Sequence, residues 1–226
     1  LVSLTLTPLA ITDGLKHWDG LSEQVPCEGH AILFSRSIAA ALPRDMDPDL
    51  ALAVLDVCGA PALTARVVKP GMSVAVIGAA GKSGSLSLAA AAKAGASRTV
   101  GVVPNSREAD LLRAAELADD VVIADARDPI ALSEVVGEPV DVTVVCVDVP
   151  GCEHGAILAT KQGGTVIFFS MATSFPAAAL GAEGLAADVT MLIGNGYVPG
   201  HAAYALELVR DVAAVRALFE ARIQAH

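Results

Sequence analysis

The sequence has no Cys-x-x-Cys pair: Cys27, Cys58, Cys146 and Cys152 are scattered, and His17, His30, His154, His201 and His226 show no metal-ligand spacing. A structural zinc site is therefore not expected, no disulfide framework is implied, and the chain reads as metal-free. Charge is sparse as well. Only 18% of residues are charged, the net charge is −10, and there is no basic stripe able to displace counterions from a nucleic acid. No apolar run reaches the ~20 residues of a membrane span. The opening LVSLTLTPL lacks the basic flank and cleavage site of a signal peptide. Internal repeats and low-complexity tracts are missing, and Ala89–Ala92 fits a tightly packed helix. These absences point to a cytoplasmic protein with neither nucleic acid nor membrane as partner.

What remains is apolar material, 54% of 226 residues, enough for a large, well-buried α/β core. Its most informative stretch is VAVIGAAGKSG, Val74 to Gly84. A strand-like run enters glycines spaced G-x-x-G-x-x-G, and a long Ala/Leu helix pattern follows. A phosphate-bearing cofactor requires this order. Gly78 permits the turn out of the strand, Gly81 lets main-chain amides approach a pyrophosphate, and Gly84 lets the helix pack on the sheet. The first helical turn, with Lys82 and Ser83, then presents unpaired N–H groups and the positive dipole end. Glycine spacing alone is weak; the strand-to-helix junction strengthens it. Gly81-Lys82-Ser83 also imitates the tail of a nucleoside-triphosphate loop. That loop needs a further glycine at position 76, which is Val76, inside the strand.

The rest of the pattern is consistent with a dinucleotide fold. Ser73–Ile77, Thr99–Val103, Val121–Ala124, Val142–Val147, Thr165–Phe169 and Val189–Ile193 read as strands. Residues 84–94, 108–115, 130–136, 152–160, 176–184 and 201–223 read as the intervening helices. Near-continuous β-branched strands with helical crossovers predict a Rossmann-type, doubly wound parallel sheet over residues 46–226. Residues 1–45 read as the β-rich remnant of another domain, with strand patterns at Leu1–Leu9 and Ala31–Phe34. Asp47–Val68 reads as one helix that Pro61 breaks or kinks.

The second strand ends Val103-Pro104-Asn105-Ser106-Arg107, without the acid that binds a ribose diol about 20 residues past the glycines in NAD sites. Ser106 and Arg107 could instead hold a 2′-phosphate through a hydroxyl and a guanidinium, which favours NADP over NAD, with Asn105 beside them as a further cofactor-binding candidate. Ser106 as an ordinary helix cap and Arg107 as a solvated residue is the alternative.

LDVCGAPALTARVVKPGMSVAVIGAAGKSG (Leu55–Gly84) resembles the cofactor domain of medium-chain dehydrogenases and reductases. VDVTVVCVDV (Val140–Val149) and KQGGTVIFF (Lys161–Phe169) look like that superfamily's fourth and fifth strands. LDVCGAPA (Leu55–Ala62), SMATSFPAAALGAEG (Ser170–Gly184) and IGNGYVPGHAAYAL (Ile193–Leu206) are more specific. They resemble the L-erythro-3,5-diaminohexanoate dehydrogenase family of lysine fermentation. The resemblance implies that residues 1–45 are the end of a GroES-like barrel. It also implies a diamino acid substrate, an NAD(P) cofactor and an active site in the cleft between the two domains. A zinc-free quinone or enoyl reductase of the same superfamily is the alternative enzyme, and a catalytically silent NADP-binding module the alternative outside enzymology.

By the geometry of such a fold, Cys146, Val147, Ser170 and Met171 at the fourth and fifth strand ends border the nicotinamide. Asp148 is the leading acid for a substrate ammonium or ribose hydroxyl, with a capping role as its alternative. A substrate with two ammonium groups and one carboxylate calls for acids and an amide, for which Glu153, Glu183, Asp56 and Asn195 are candidates. Asp56 would be costly inside an apolar helix unless paired. His154 and His201 are candidate general bases, with surface or capping roles as alternatives. Val189–Ile193 reads as an edge strand that could pair with its twin in a homodimer.

Overall fold

The computed structural model describes residues 1–5, 7–21, 25–193 and 197–224. It divides into two units, Leu1–Pro48 and Asp49–His226.

In the first unit, β1 (Val2–Ser3) pairs antiparallel with β4 (Ala39–Ala40), and β2 (Leu9–Asp13) with β3 (Glu28–Ala31). The alternation across Leu1–Leu9 predicts one strand, but among its described residues only Val2–Ser3 and Leu9 are in strands. Ser3 Oγ donates to the Thr5 carbonyl at 3.0 Å and Thr7 Oγ1 to the same carbonyl at 2.9 Å, so hydroxyls occupy a main-chain acceptor that a ladder would use. Ala31–Phe34 is likewise a strand only at Ala31.

The second unit opens with α1 (Pro48–Asp56) and α2 (Gly59–Val67), bent by 50° at the break between them. Pro61 does not kink a continuous helix. It sits in the first turn of α2, where a missing N–H forfeits no intrahelical bond, so the helix restarts ahead of it. Among the described residues no single helix is long and apolar enough to cross a membrane.

The remaining elements alternate: β5 (Ser73–Ile77), α3 (Lys82–Lys93), β6 (Arg98–Val103), α4 (Ser106–Ala115), β7 (Asp120–Ile123), α5 (Pro129–Val136), β8 (Val140–Val145), α6 (Glu153–Leu158), β9 (Thr160–Phe168), α7 (Phe175–Gly184), β10 (Thr190–Ile193), α8 (His201–Asp211) and α9 (Ala213–Gln224). The expected helix over residues 201–223 is two helices. Val212 is extended, and the break lets Leu208 and Val209 on α8 and Val215 and Phe219 on α9 all be buried.

The six strands are parallel, in the order β7-β6-β5-β8-β9-β10. The chain winds outward from β5 through β7, returns beside β5 as β8 and winds out the other way. This is the Rossmann-type arrangement, with its switch point between β5 and β8. Period-two alternation places Val74, Val76, Val144 and Ile167 on one face with Leu88 and Leu112, and Ala75, Ile77, Val145 and Phe168 on the other with Leu132 and Ile157. Both faces are therefore buried, as the near-continuous apolar strands require.

Aspartates pin the N-terminal strand ends. Asp141 Oδ2 accepts from Ser73 N at 2.8 Å and Ser73 Oγ at 2.9 Å, and Asp119 Oδ2 accepts from Thr99 N at 2.7 Å. Among the described residues, the C-terminal ends at the switch point carry no such clamp. They are occupied by the turn and loops described next.

Candidate functional site

Gly78 leaves β5 with φ +82°, a conformation that L side chains rarely adopt. A Cβ there would meet Val147 Cγ1 at 2.6 Å, so the β8 exit passes directly over the turn. Gly84 is tighter still: a Cβ would lie 2.1 Å from the Gly78 carbonyl oxygen and 2.7 Å from Ala79 Cα. Gly81, with φ −72°, needs no left-handed freedom, and a Cβ there would be 3.1 Å from the Gly78 oxygen. The three glycines thus have different reasons: conformation and clearance at Gly78, modest clearance at Gly81, close packing of helix on turn at Gly84.

α3 begins with no side-chain cap, whereas α4, α5 and α7 are capped by Asn105, Asp128 and Ser174. The main-chain N–H groups of Lys82, Ser83 and Gly84 find no acceptor among the described residues. A helix of this length with open first-turn donors and its dipole end at the turn is built to take an anion. The residues therefore fit the diphosphate of a dinucleotide.

Two neighbours hold the turn. Lys82 Nζ donates to Asp56 Oδ2 at 2.8 Å, so Asp56 is not a lone acid inside an apolar helix. It is exposed at the C-terminal end of α1 and paired, which removes the cost that marked it as a substrate acid. Arg222, from α9, donates Nη2 to the Ala80 carbonyl at 2.9 Å. Sequence reading missed Arg222, since nothing in α9 signals a residue that reaches back to Ala80.

At the β6 exit, Asn105 rather than Ser106 caps α4, accepting from Glu108 N at 3.0 Å. Ser106 is the first helical residue. Arg107 is exposed, with no ion pair among the described residues.

On the other side of the switch point, Cys146 N donates to the Ile77 carbonyl at 2.9 Å, which ties the β8 exit to the end of β5. Cys146 is half-buried as a residue, and desolvation pushes its thiol up to about 12, so it is no thiolate nucleophile at neutral pH. Asp148 follows on the exposed part of this exit. Ser170 is half-buried and Met171 is 93% exposed in the β9 exit loop. Glu153, the first residue of α6, is buried, and its Oε1 accepts from Ser174 N at 2.6 Å. His154 is exposed, with its ring over Gly181 of α7, where a Cβ would meet Cδ2 at 2.6 Å.

Two candidates do not join this group. Glu183 lies near the C-terminal end of α7, which runs back from the strand ends toward the opposite edge, where Gln162 Nε2 bonds the Ala186 carbonyl. His201 begins α8 and is buried edge-on to Tyr197, 5.2 Å between ring centroids, with burial lowering its pKa. Asn195 lies outside the described residues.

Comparison with known proteins decides the family. Residues 1–43 match the family model described as the L-erythro-3,5-diaminohexanoate dehydrogenase N-terminal domain. The chain is 47% identical over 227 residues to the L-erythro-3,5-diaminohexanoate dehydrogenase of Acetoanaerobium sticklandii, covering 97% of this chain and 66% of the relative. It belongs to the L-erythro-3,5-diaminohexanoate dehydrogenase family. The family's enzyme from Fusobacterium nucleatum is also 47% identical, over 97% of this chain and 65% of that protein. The chain thus spans about two thirds of the length of these relatives. Among solved structures, an alcohol dehydrogenase from Thermus sp. ATN1 matches with TM-score 0.52 and 26% identity, over 78% of this chain and 50% of that one. The 2R,3R-butanediol dehydrogenase of Bacillus subtilis matches in fold, with TM-score 0.54 at 21% identity, over 89% of this chain and 60% of that one.

The contact at Gly84 yields a direct test. Gly84→Ala drives a methyl into the Gly78 carbonyl, so nicotinamide dinucleotide affinity measured by calorimetric titration should fall at least about tenfold with a lowered melting temperature. Unchanged affinity would remove the turn from the cofactor site.

Proposed function

We propose that the chain serves an NAD(P)-dependent dehydrogenase activity on L-erythro-3,5-diaminohexanoate or a close diamino acid. The products are 5-amino-3-oxohexanoate and ammonia. The observation that carries this reading is the 47% identity over 97% of the chain to enzymes of that name, joined to an uncapped glycine turn at a Rossmann switch point.

Gly78, Gly81 and Gly84 with the amides of Lys82 and Ser83 would hold the diphosphate, and Asn105, Ser106 and Arg107 the adenosine ribose. Cys146, Val147, Ser170 and Met171 would flank the nicotinamide. When bound, the nicotinamide supplies a hydride acceptor. The chain's own task is to present the substrate's C3 carbon with a neutral amine, because an ammonium has no lone pair to form the imine. Asp148, exposed at the β8 exit, is the proposed acceptor for a substrate ammonium or a ribose hydroxyl. His154 is the described histidine on the exposed side of the exits, and it is the proposed proton acceptor. Water adds to the imine carbon and ammonia leaves, so that the substrate ammonium, oxidised nicotinamide and water give one ketone, one ammonium, one reduced nicotinamide and one proton.

NADP is the favoured cofactor. A carboxylate at the end of β6 would repel a 2′-phosphate, and Arg107 stands there unpaired among the described residues. A homodimer through β10 is also proposed. This strand has a neighbour on one side only among the described residues, and α7 beside it exposes Phe175 (63%) and Leu180 (67%).

Three measurements test these readings. Full-length protein should reduce NAD(P) when given the diamino acid. Oxidation of NADPH by quinones without that activity would assign a reductase, and dinucleotide binding with no turnover a silent module. Arg107→Glu should weaken NADP binding about tenfold or more while leaving NAD nearly unchanged; equal effects would defeat the 2′-phosphate assignment. Light scattering should give a dimer mass that Ile193→Lys halves, and a monomeric wild type would refute the edge-strand pairing.

A further inference from the structure

Glu153 is the one acid among the buried polar side chains of the described residues, with 2% of its surface exposed. Its two oxygens differ. Oε1 accepts from Ser174 N at 2.6 Å, across 21 residues of sequence. Oε2 is shielded from solvent and has no hydrogen-bond partner among the described residues. An orphaned carboxylate oxygen is costly, and a hydrocarbon side chain would fill the same space without that cost. The stabilising contribution of this side chain is therefore the bond it makes to the β9 exit loop.

That loop has little else to hold it. Phe169 N donates to the Val145 carbonyl at 3.1 Å, the last sheet-like bond. Beyond it, Ala172 N bonds Ser170 Oγ at 3.0 Å, Thr173 N bonds the Ser170 carbonyl at 3.4 Å, and Ala177 N bonds Ser174 Oγ at 3.3 Å, all of them local. Among the described residues, Glu153–Ser174 is the one hydrogen bond that ties residues 170–174 to an element other than α7, the helix they lead into. The next residue of α6, His154, packs on Gly181, so α6 meets the loop-and-helix unit at two points.

We propose that Glu153 is a positioning residue: it clasps the β9 exit loop to α6 and so sets Ser170 and Met171 for the nicotinamide half of the cofactor. A substrate-contacting role does not fit, since neither solvent nor substrate reaches Oε2 in this arrangement. The inference rests on the cofactor reading above, and it narrows Glu153's part within it.

The test is calorimetric titration of the whole chain with two pairs of ligands: NAD against ADP-ribose, and NADP against 2′-phospho-ADP-ribose. Each fragment lacks the nicotinamide. Glu153→Ala removes the acceptor, and Glu153→Asp keeps the carboxyl group but falls one methylene short of Ser174 N. Both should bind the preferred dinucleotide about tenfold more weakly, with affinity for the matching fragment unchanged. Glu153→Gln, which retains an acceptor oxygen, should bind both as wild type does. Dinucleotide affinity unchanged in the Ala and Asp variants, or equal loss of dinucleotide and fragment, would overturn the clasp. So would a Gln variant that behaves like Ala. A wild-type chain that binds none of the four ligands would refute the cofactor reading, and this inference with it.

Discussion

The site depends on one close approach. The Gly78 carbonyl sits where a Cβ of Gly84 would be, and Val147 sits where a Cβ of Gly78 would be. Three chain segments converge there: the end of β5, the first turn of α3 and the exit of β8. With side chains at either glycine, α3 could not start so close to β5, and its open N–H groups would no longer face the crevice at the switch point. The sheet supplies a rigid base for this convergence, because strands β5 and β8 are buried on both faces and in register from Val74–Val142 to Ile77–Val145.

Elements with a strong periodic signal were legible in the chain. Ser73–Ile77 is a strand with the boundaries that its β-branched pattern predicts, and the other sheet strands differ mainly at their ends. β9 is longer, starting at Thr160 instead of Thr165. The added end pairs Thr160 with Val140 across a register shift, and Thr160 Oγ1 donates to Thr143 Oγ1 at 2.7 Å, contacts that a window of neighbouring residues does not contain. Breaks were harder to place, since a proline marks a boundary without saying which side of it the chain bends.

The site was legible where chemistry is local and illegible where it depends on direction. Glycines at a strand-to-helix junction carry their own reason, so the turn was readable. Acids were not, because sequence distance does not say which end of a helix faces the crevice: Glu183 sits near the C-terminal end of α7, Asp56 is paired with Lys82, and Glu153 is buried. Arg222 joins the turn from the far end of the second unit through a contact 142 residues apart in sequence, which no window of residues could contain.

The open first turn of α3 also has a bearing on handling. Donors left unsatisfied by the protein attract whatever anion the solvent offers, and inorganic phosphate or sulfate presents the same oxygens as a diphosphate. Buffer composition therefore becomes a competitor in its own right. On the proposed reading of this turn, phosphate would protect the chain against heat while masking its affinity for a nucleotide.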